Sequence, residues 1–397
     1  MSGRLTYPKF KPSDGGEPPY LAGREMEKQA LREPLDLLRD GEGAAGNVIV
    51  IGPRGNGKTV LMRWFEAQCE QDETLDAVWL TPDEVKTLDN LANRLAPPKH
   101  WGRLPDEVEA NARIVSFKWH LDNNPGTLTD LLIARCRKRP LAVLLDEAHT
   151  LTPEVGQILL NTSQKVRAKA PFLLILGGTP GLQYRLSGMS ASFWNRSDKL
   201  GIGLLEEAGA RNALLEPFRE HGIEVDEDVL GTVIEESQRF PYFLQRWGKA
   251  LTDVLQGQEE LTGSLRRIDA DILEEALPVF KAERVAYYEP VREEIEDAGL
   301  QPLAADVSLK YDDLEALDEH LLNEVIAAHL QAEGELPEKK SERRTLITAK
   351  RRALAGFGYV WRPPTSEAIW HAGIPSLMSH VLKIEKKATQ AHTLISA

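Results

Sequence analysis

Cysteine is scarce in this sequence. Its 397 residues include only Cys69 and Cys136, which are too few for a disulfide framework or for a zinc site built from cysteines. Long apolar runs are also missing: runs such as Phe172–Leu176 fall far below the roughly 18 residues that a membrane-spanning helix needs. The first ten residues have no apolar segment of the kind that directs export. We therefore expect a cytoplasmic protein with no membrane partner.

Positive charge is scarce over most of the chain. The net charge of −13 argues against a protein that coats nucleic acid with its whole surface. The last part is an exception, because residues 335–397 hold 11 Lys and Arg against 5 Asp and Glu. An acidic body with a basic C-terminal module predicts a localised anionic partner, although basic segments are often only solvated surface.

Composition and periodicity divide the chain into four parts. Residues 1–20 are rich in proline and glycine, which predicts a flexible N-terminal arm. In residues 21–205, apolar runs alternate with helical segments, which predicts an α/β domain with a parallel sheet sandwiched by helices. Amphipathic helical patterns dominate residues 206–280. Residues 281–397 then predict a helical connector, followed by a helix over 343–354 and a two-stranded hairpin.

A glycine-rich turn fits the pattern G-x-x-x-x-G-K-[ST] in full, directly after a predicted strand, Asn47–Ile51, and directly before a predicted helix. Glycines let backbone N–H groups wrap phosphates, and the helix adds its positive N-terminal end. Lys58 then reaches the β and γ phosphates, and the Thr59 hydroxyl ligates Mg²⁺. This P-loop predicts ATP and Mg²⁺ as cofactors. Its nucleotide-binding residues are Gly52, Pro53, Arg54, Gly55, Asn56, Gly57, Lys58, Thr59 and Val60.

A second motif ends in two carboxylates. The apolar run Leu141–Leu145 leads straight into Asp146 and Glu147, and α/β sheets bind ligands at the carboxyl ends of their strands. Asp146 is suited to hold Mg²⁺, which prefers oxygen ligands. Glu147 is the predicted general base that polarises the attacking water.

Each of two further catalytic candidates also has a non-catalytic interpretation. Thr179 follows the predicted strand Phe172–Leu176 and either places a hydroxyl near the γ phosphate or is an ordinary turn residue. Arg196 is either an arginine finger supplied to a neighbouring subunit or a solvated arginine, with Arg185 as the fallback. A finger supplied in this way implies a nucleotide-dependent homo-oligomer.

The P-loop and the run Asp146–His149 resemble the corresponding motifs of AAA+ and STAND P-loop ATPases, in particular the branch around origin-recognition initiators. Gly23-Arg24-Glu25 is similar to an element that this branch carries near the adenine, which implies Arg24 as a nucleotide-binding residue. Gly178-Thr179-Pro180 resembles the sensor 1 turn. The resemblance also implies a helical lid after about residue 206 and a winged-helix-like domain at the C-terminal end.

The lid departs from the initiator pattern. Initiators usually present a sensor 2 arginine after a turn at this point, whereas here Phe240-Pro241 is followed by Tyr242. Arg239 and Arg246 flank the position, and we expect both to be exposed to solvent. Loss of that arginine is more typical of STAND-like switches, which favours slow, regulated turnover. The letters DEAH also occur in helicases, but the sequence after residue 206 offers no second recombinase-like domain.

Basic residues are concentrated on or beside the predicted helix of the C-terminal module. A winged helix puts such a helix into the major groove of DNA, so one interpretation is a duplex DNA partner. The other is a solvated face on a module that recruits a protein effector. The nearby aromatic residues Phe357, Tyr359, Trp361 and Trp370 predict the core of this module. The basic residues are Arg343, Arg344, Lys350, Arg351 and Arg352.

The sequence therefore predicts an ATP-binding and ATP-hydrolysing switch of the AAA+/STAND kind, whose nucleotide state controls assembly on a DNA or protein partner. The rival is a signalling or defence-type adaptor that binds ATP with little hydrolysis and recruits an effector protein.

Overall fold

The computed structural model describes residues 6–12, 18–41, 46–97, 125–262, 266–313, 316–364 and 368–384. The chain forms two compact units. The sheet unit consists of Glu25–Ile51 and Leu61–Gly201, and the lid unit consists of Met1–Arg24, Gly52–Val60 and Ile202–Ala397. Within the described ranges, no helix is long and apolar enough to cross a membrane.

The sheet unit is built on five parallel strands in the order β2-β3-β4-β1-β5. Every residue of β1, β3 and β4 is buried, whereas the edge strands β2 and β5 are partly exposed. Continuous apolar runs suit central strands because both faces of a parallel sheet are covered. The strands are β1 (Val48–Ile51), β2 (Asp76–Leu80), β3 (Leu141–Leu145), β4 (Phe172–Gly178) and β5 (Asp198–Gly201).

Helices cover this sheet. Alternate strand residues such as Ile49, Val143 and Leu174 share one apolar core with Leu132 and Leu159 from the helices. Two single helical turns, Asp83–Val85 and Ala148–Thr150, complete the unit. The helices are α1 (Glu25–Arg39), α2 (Lys58–Glu70), α3 (Leu88–Leu95), α4 (Pro125–Lys138), α5 (Pro153–Arg167), α6 (Leu182–Met189) and α7 (Ala191–Arg196).

The first part of the lid unit is helical. Its core contains Trp247, whose ring stacks on Phe280 with centroids 4.3 Å apart. Phe10 from the N-terminal arm is also buried here, 5.4 Å from Phe218 between ring centroids. Two short strands pair in parallel between the helices. The elements are α8 (Glu207–Glu220), β6 (Glu224–Val225), α9 (Glu227–Ser237), α10 (Pro241–Thr262), β7 (Arg267–Ile268) and α11 (Ala270–Asp297).

The second part of the lid unit has the element order of a winged helix. Its three-stranded antiparallel sheet has the order β8-β10-β9, and the buried Tyr359 and Trp370 lie in its core as predicted. The predicted fold class, a parallel sheet sandwiched by helices with a helical lid and a winged-helix-like domain, is therefore confirmed. The elements are α12 (Gln301–Asp313), β8 (Ala316–Asp318), α13 (Glu319–Ala332), α14 (Lys340–Gly356), β9 (Val360–Trp361), β10 (Ile369–Ala372) and a last helix over 377–384.

Candidate functional site

The P-loop follows directly on the last residue of β1. Gly55 and Gly57 both have φ of +86°, a left-handed conformation that side chains disfavour. A Cβ on Gly52 would collide with the carbonyl oxygen of Ile202. The glycines of the motif are therefore required by the backbone path itself. The loop turns into α2 at Lys58, so the first N–H groups of that helix, which have no partner inside it, face the turn.

Lys58 and Asn56 fix the shape of the P-loop. The Lys58 side chain lies in a residue that is only 5% exposed, and its Nζ donates a hydrogen bond to the Pro53 carbonyl at 2.9 Å. The Asn56 amide donates to the Ile202 carbonyl at 2.9 Å. The Lys58 ammonium group thus lies across the loop, where it can contact an anion that the loop N–H groups bind.

Arg24 braces the P-loop against the segment that leads into the lid. Its guanidinium donates to the carbonyl of Asn56 at 3.1 Å and to the carbonyls of Gly203 at 2.5 Å and Leu204 at 3.4 Å. These bonds join three stretches of the lid unit that are far apart in sequence. Its contact with a nucleotide stays a prediction.

Two aromatic residues of the lid pack on the P-loop, and sequence reasoning missed both. A Cβ on Gly55 would lie 2.8 Å from the Tyr287 hydroxyl and closer still to the Phe240 ring, at its Cζ. The Tyr287 hydroxyl also donates to the Arg54 carbonyl at 3.0 Å. Burial raises the pKa of Tyr287, so the phenol keeps its proton and acts as a donor at neutral pH.

The lid segment around Tyr242 holds an aromatic and ionic cluster. The rings of Tyr242 and Tyr287 pack in a tilted arrangement, with centroids 4.3 Å apart and planes inclined by 32°. Arg246 donates to the Tyr242 hydroxyl and pairs with Glu283 at 3.2 Å. The prediction that Arg246 is exposed is therefore wrong, because its side chain, 20% exposed, is held by these two partners. Arg239 is exposed as predicted.

In the sheet unit, Asp146 and Glu147 follow the last residue of β3. Asp146 is 8% exposed, and its Oδ1 accepts the backbone N–H of Glu147 at 2.9 Å. Glu147 has φ of 51°, which is unusual for a residue with a side chain, and 44% of its side chain is exposed. The Asp146 carboxylate is thus buried and hydrogen-bonded, while the Glu147 side chain is partly exposed to solvent.

The register of the sheet places the ends of β3 and β1 at one edge. Leu145, the last residue of β3, pairs with Leu176 of β4, and Ile51, the last residue of β1, pairs with Gly178 of β4. Counted along β4, which lies between them, the ends of β3 and β1 are therefore only two residues apart. Thr179, half-buried, comes immediately after β4 at the same edge.

Gly177 makes room for Asp146. A Cβ on Gly177 would lie 2.9 Å from Asp146 Oδ1 and would also collide with the Met62 sulfur. We expect Gly177→Ala to displace the carboxylate, lowering the free energy of unfolding by about 1–3 kcal/mol and raising the Mg²⁺ concentration needed for half-maximal ATP turnover. Thermal melting and a Mg²⁺ titration of turnover measure the two effects.

The matched control for this change is Gly188→Ala, because nothing lies within 4 Å of the Cβ position at Gly188 on α6. Alanine there is expected to leave stability unchanged or slightly raised. An unchanged Mg²⁺ requirement in Gly177→Ala would show that Asp146 does not hold the metal at this position.

The arginine candidates differ in their surroundings. Arg196 is exposed at the end of α7, as a residue that serves a neighbouring subunit must be. Arg185 instead donates to the Leu151 carbonyl at 2.8 Å within its own unit. Arg196 therefore stays the predicted arginine finger.

The basic residues of α14 separate into two groups. Arg343, Arg344 and Arg352 are exposed. Arg351 pairs with Glu319 at 2.8 Å and its side chain is only 12% exposed, while its guanidinium lies over the Trp370 ring, 5.3 Å from the centroid. Arg351 therefore stabilises the module internally, whereas Arg343, Arg344 and Arg352 lie on its surface.

Comparison with known proteins finds a matching domain and similar folds. Residues 20–175 match the family model of the AAA ATPase domain. The fold is similar to a Walker-type ATPase of Pyrococcus abyssi, at 17% identity and a TM-score of 0.54, covering 95% of this chain and 98% of that one. It is also similar to Cdc6p from Pyrobaculum aerophilum, at 16% identity and a TM-score of 0.50, covering 95% and 97%. No curated protein matches the sequence.

Proposed function

We propose that this chain, whose residues 20–175 match the AAA ATPase domain, is an ATP-hydrolysing switch of the AAA+/STAND kind whose nucleotide state controls assembly on duplex DNA. One observation carries the proposal: the P-loop and the pair Asp146 and Glu147 follow strands that end at one edge of a parallel sheet. Ligands of open α/β sheets bind at that edge.

The residues present suit ATP and Mg²⁺. The P-loop glycines adopt the backbone that wraps phosphates. Hydroxyl and carboxylate oxygens are the ligands that Mg²⁺ prefers, and Thr59 and Asp146 supply one of each. Bound there, Mg²⁺ would neutralise the negative charge that develops on the phosphate oxygens.

In this mechanism each residue has a defined task. The P-loop N–H groups and Lys58 hold the β and γ phosphates. Glu147 accepts a proton from water as the water oxygen bonds to the γ phosphorus and the bond to the bridging oxygen breaks, which releases ADP. Thr179 orients the water, and Arg196 stabilises the transferring phosphoryl group in a neighbouring copy of the chain, which makes a nucleotide-dependent homo-oligomer the working form.

The DNA part of the proposal is supported by α14. In a winged helix, the helix in this position enters the major groove, and the exposed Arg343 and Arg344 lie on its first half. Arginine contacts with phosphate release counterions, so binding must weaken steeply with salt.

A titration of duplex DNA followed by fluorescence anisotropy tests this, at about 50 and about 200 mM salt, with and without ATP. We expect affinity to fall as salt rises and to depend on ATP. Replacing Arg343 and Arg344 together by alanine should weaken binding and make the slope of log K against log salt concentration less negative by about 2.

Arg219→Ala is the matched control, because Arg219 is an equally basic side chain, 70% exposed on the lid helix α8. It should leave DNA affinity unchanged. If the wild-type chain binds duplex DNA at neither salt concentration, duplex DNA is rejected as the partner and a protein effector is favoured.

A further inference from the structure

His149 lies next to the side chain of Glu147. Its Nδ1 atom is 3.1 Å from Glu147 Oε2. Nδ1 is shielded from solvent and makes no aligned hydrogen bond with the described residues. The ring nitrogen and the carboxylate oxygen are therefore in close polar contact without a hydrogen bond of good geometry. The side chains of His149 and Glu147 are otherwise 35% and 44% exposed.

The backbone brings these two side chains together. Glu147 has the left-handed φ of 51°, and the helical turn Ala148–Thr150 follows at once. The Thr150 N–H donates to the Glu147 carbonyl at 2.9 Å, and Ala148 between them is buried. The main chain around Glu147 is therefore fixed, and its side chain projects from a fixed point.

The carboxylate itself has little else to hold it. Within the described part of the chain, His149 is the one side chain within ion-pair distance of Glu147. A glutamate side chain with three torsions samples several staggered rotamers when it is exposed and free. A close contact with His149 on the same turn restricts that freedom.

We propose that His149 is a positioning residue for Glu147: it holds the carboxylate in one rotamer, from which the carboxylate accepts the proton of the attacking water. The inference rests on the proposed hydrolysis by Glu147 and adds the residue that orients this base. It requires no contact between His149 and the nucleotide, so His149 acts on the rate of the chemical step and not on ATP affinity.

The test is a kinetic comparison of His149→Ala, His149→Gln and the wild-type chain. We expect His149→Ala to lower kcat by about 3- to 10-fold, because rotamer freedom returns to the base, with KM and ATP affinity unchanged. His149→Gln keeps a planar polar group beside the carboxylate and should restore most of the lost kcat. His320→Ala is the matched control, because the His320 side chain is 82% exposed on α13.

A second measurement separates positioning from a structural role. In the Glu147→Gln background, His149→Ala should have no further effect on the residual rate, since it acts only through the Glu147 carboxylate. An equal loss of rate in both backgrounds, a loss of ATP affinity or melting temperature in both His149 variants, or an unchanged or increased kcat in His149→Ala would overturn the proposal. Failure of the proposed function itself would look different: the wild-type chain and Glu147→Gln would turn over ATP at the same rate.

Discussion

Replacing Glu147 by glutamine should leave ATP binding intact and slow ATP turnover by about 10²- to 10⁴-fold, the range that a positioned general base contributes. Glutamine has the same shape but cannot accept a proton from water at neutral pH. The Glu147 side chain is partly exposed and its backbone φ is already set by the turn. The substitution should therefore change the chemistry without changing the fold.

Phosphate release at saturating ATP measures turnover, and equilibrium titration with a fluorescent ATP analogue measures binding. Glu154→Gln is the matched control: it makes the same change at an exposed position in the first turn of α5, and it should turn over ATP like the wild-type chain. Equal turnover by Glu147→Gln and Glu154→Gln would reject Glu147 as the base.

The second large effect is expected at Lys58. Replacing it by methionine keeps an unbranched apolar stem in a residue that is 5% exposed but removes the ammonium group. Hydrogen bonds to charged groups contribute about 1.5–3 kcal/mol, so ATP affinity should fall by about 10- to 100-fold. Loss of the bond to the Pro53 carbonyl should also loosen the P-loop.

Isothermal titration with ATP and Mg²⁺ gives the affinity of this variant. Lys86→Met is the control, because the Lys86 side chain is 68% exposed and, among the described residues, pairs with Asp83 one turn away. Melting curves of both variants show whether the change is local. If Lys58→Met binds ATP as tightly as Lys86→Met, the P-loop is not the nucleotide site.

The central strands were predictable because their sequence pattern is local. Val48–Ile51 and Leu141–Leu145 are continuous apolar runs, and such runs between helical segments are typical of a parallel sheet. The strands β5, β6, β7 and β8 were not predicted. Each has only two to four residues, too few for a periodic pattern, and forms because packing brings its partner strand beside it.

The P-loop and the acidic pair were predictable for the same reason, since each motif occupies a few consecutive residues. The lid contacts were not. Tyr287 lies 233 positions from Arg54, and no local pattern marks it as a partner of the loop. Arg246 was expected to be exposed because helix position alone does not reveal Glu283 on the neighbouring helix α11.

The C-terminal module shows the limit of reading charge from sequence. Lys350, Arg351 and Arg352 are consecutive and differ in no local property. The structure separates them because α14 turns Arg351 toward Glu319 and Trp370 and leaves Arg352 exposed. Helix α11 continues past residue 280 to Asp297. A single helix therefore leads from the lid toward the winged helix.

The proposed switch requires that the P-loop binds ATP and that Glu147 promotes its hydrolysis. The most direct test is to incubate the wild-type chain and Glu147→Gln with ATP and Mg²⁺, remove free nucleotide, and identify by chromatography the nucleotide that each protein retains. We predict ADP on the wild-type chain and ATP on Glu147→Gln. No nucleotide on either protein would contradict binding, and ATP on both would contradict hydrolysis by this glutamate.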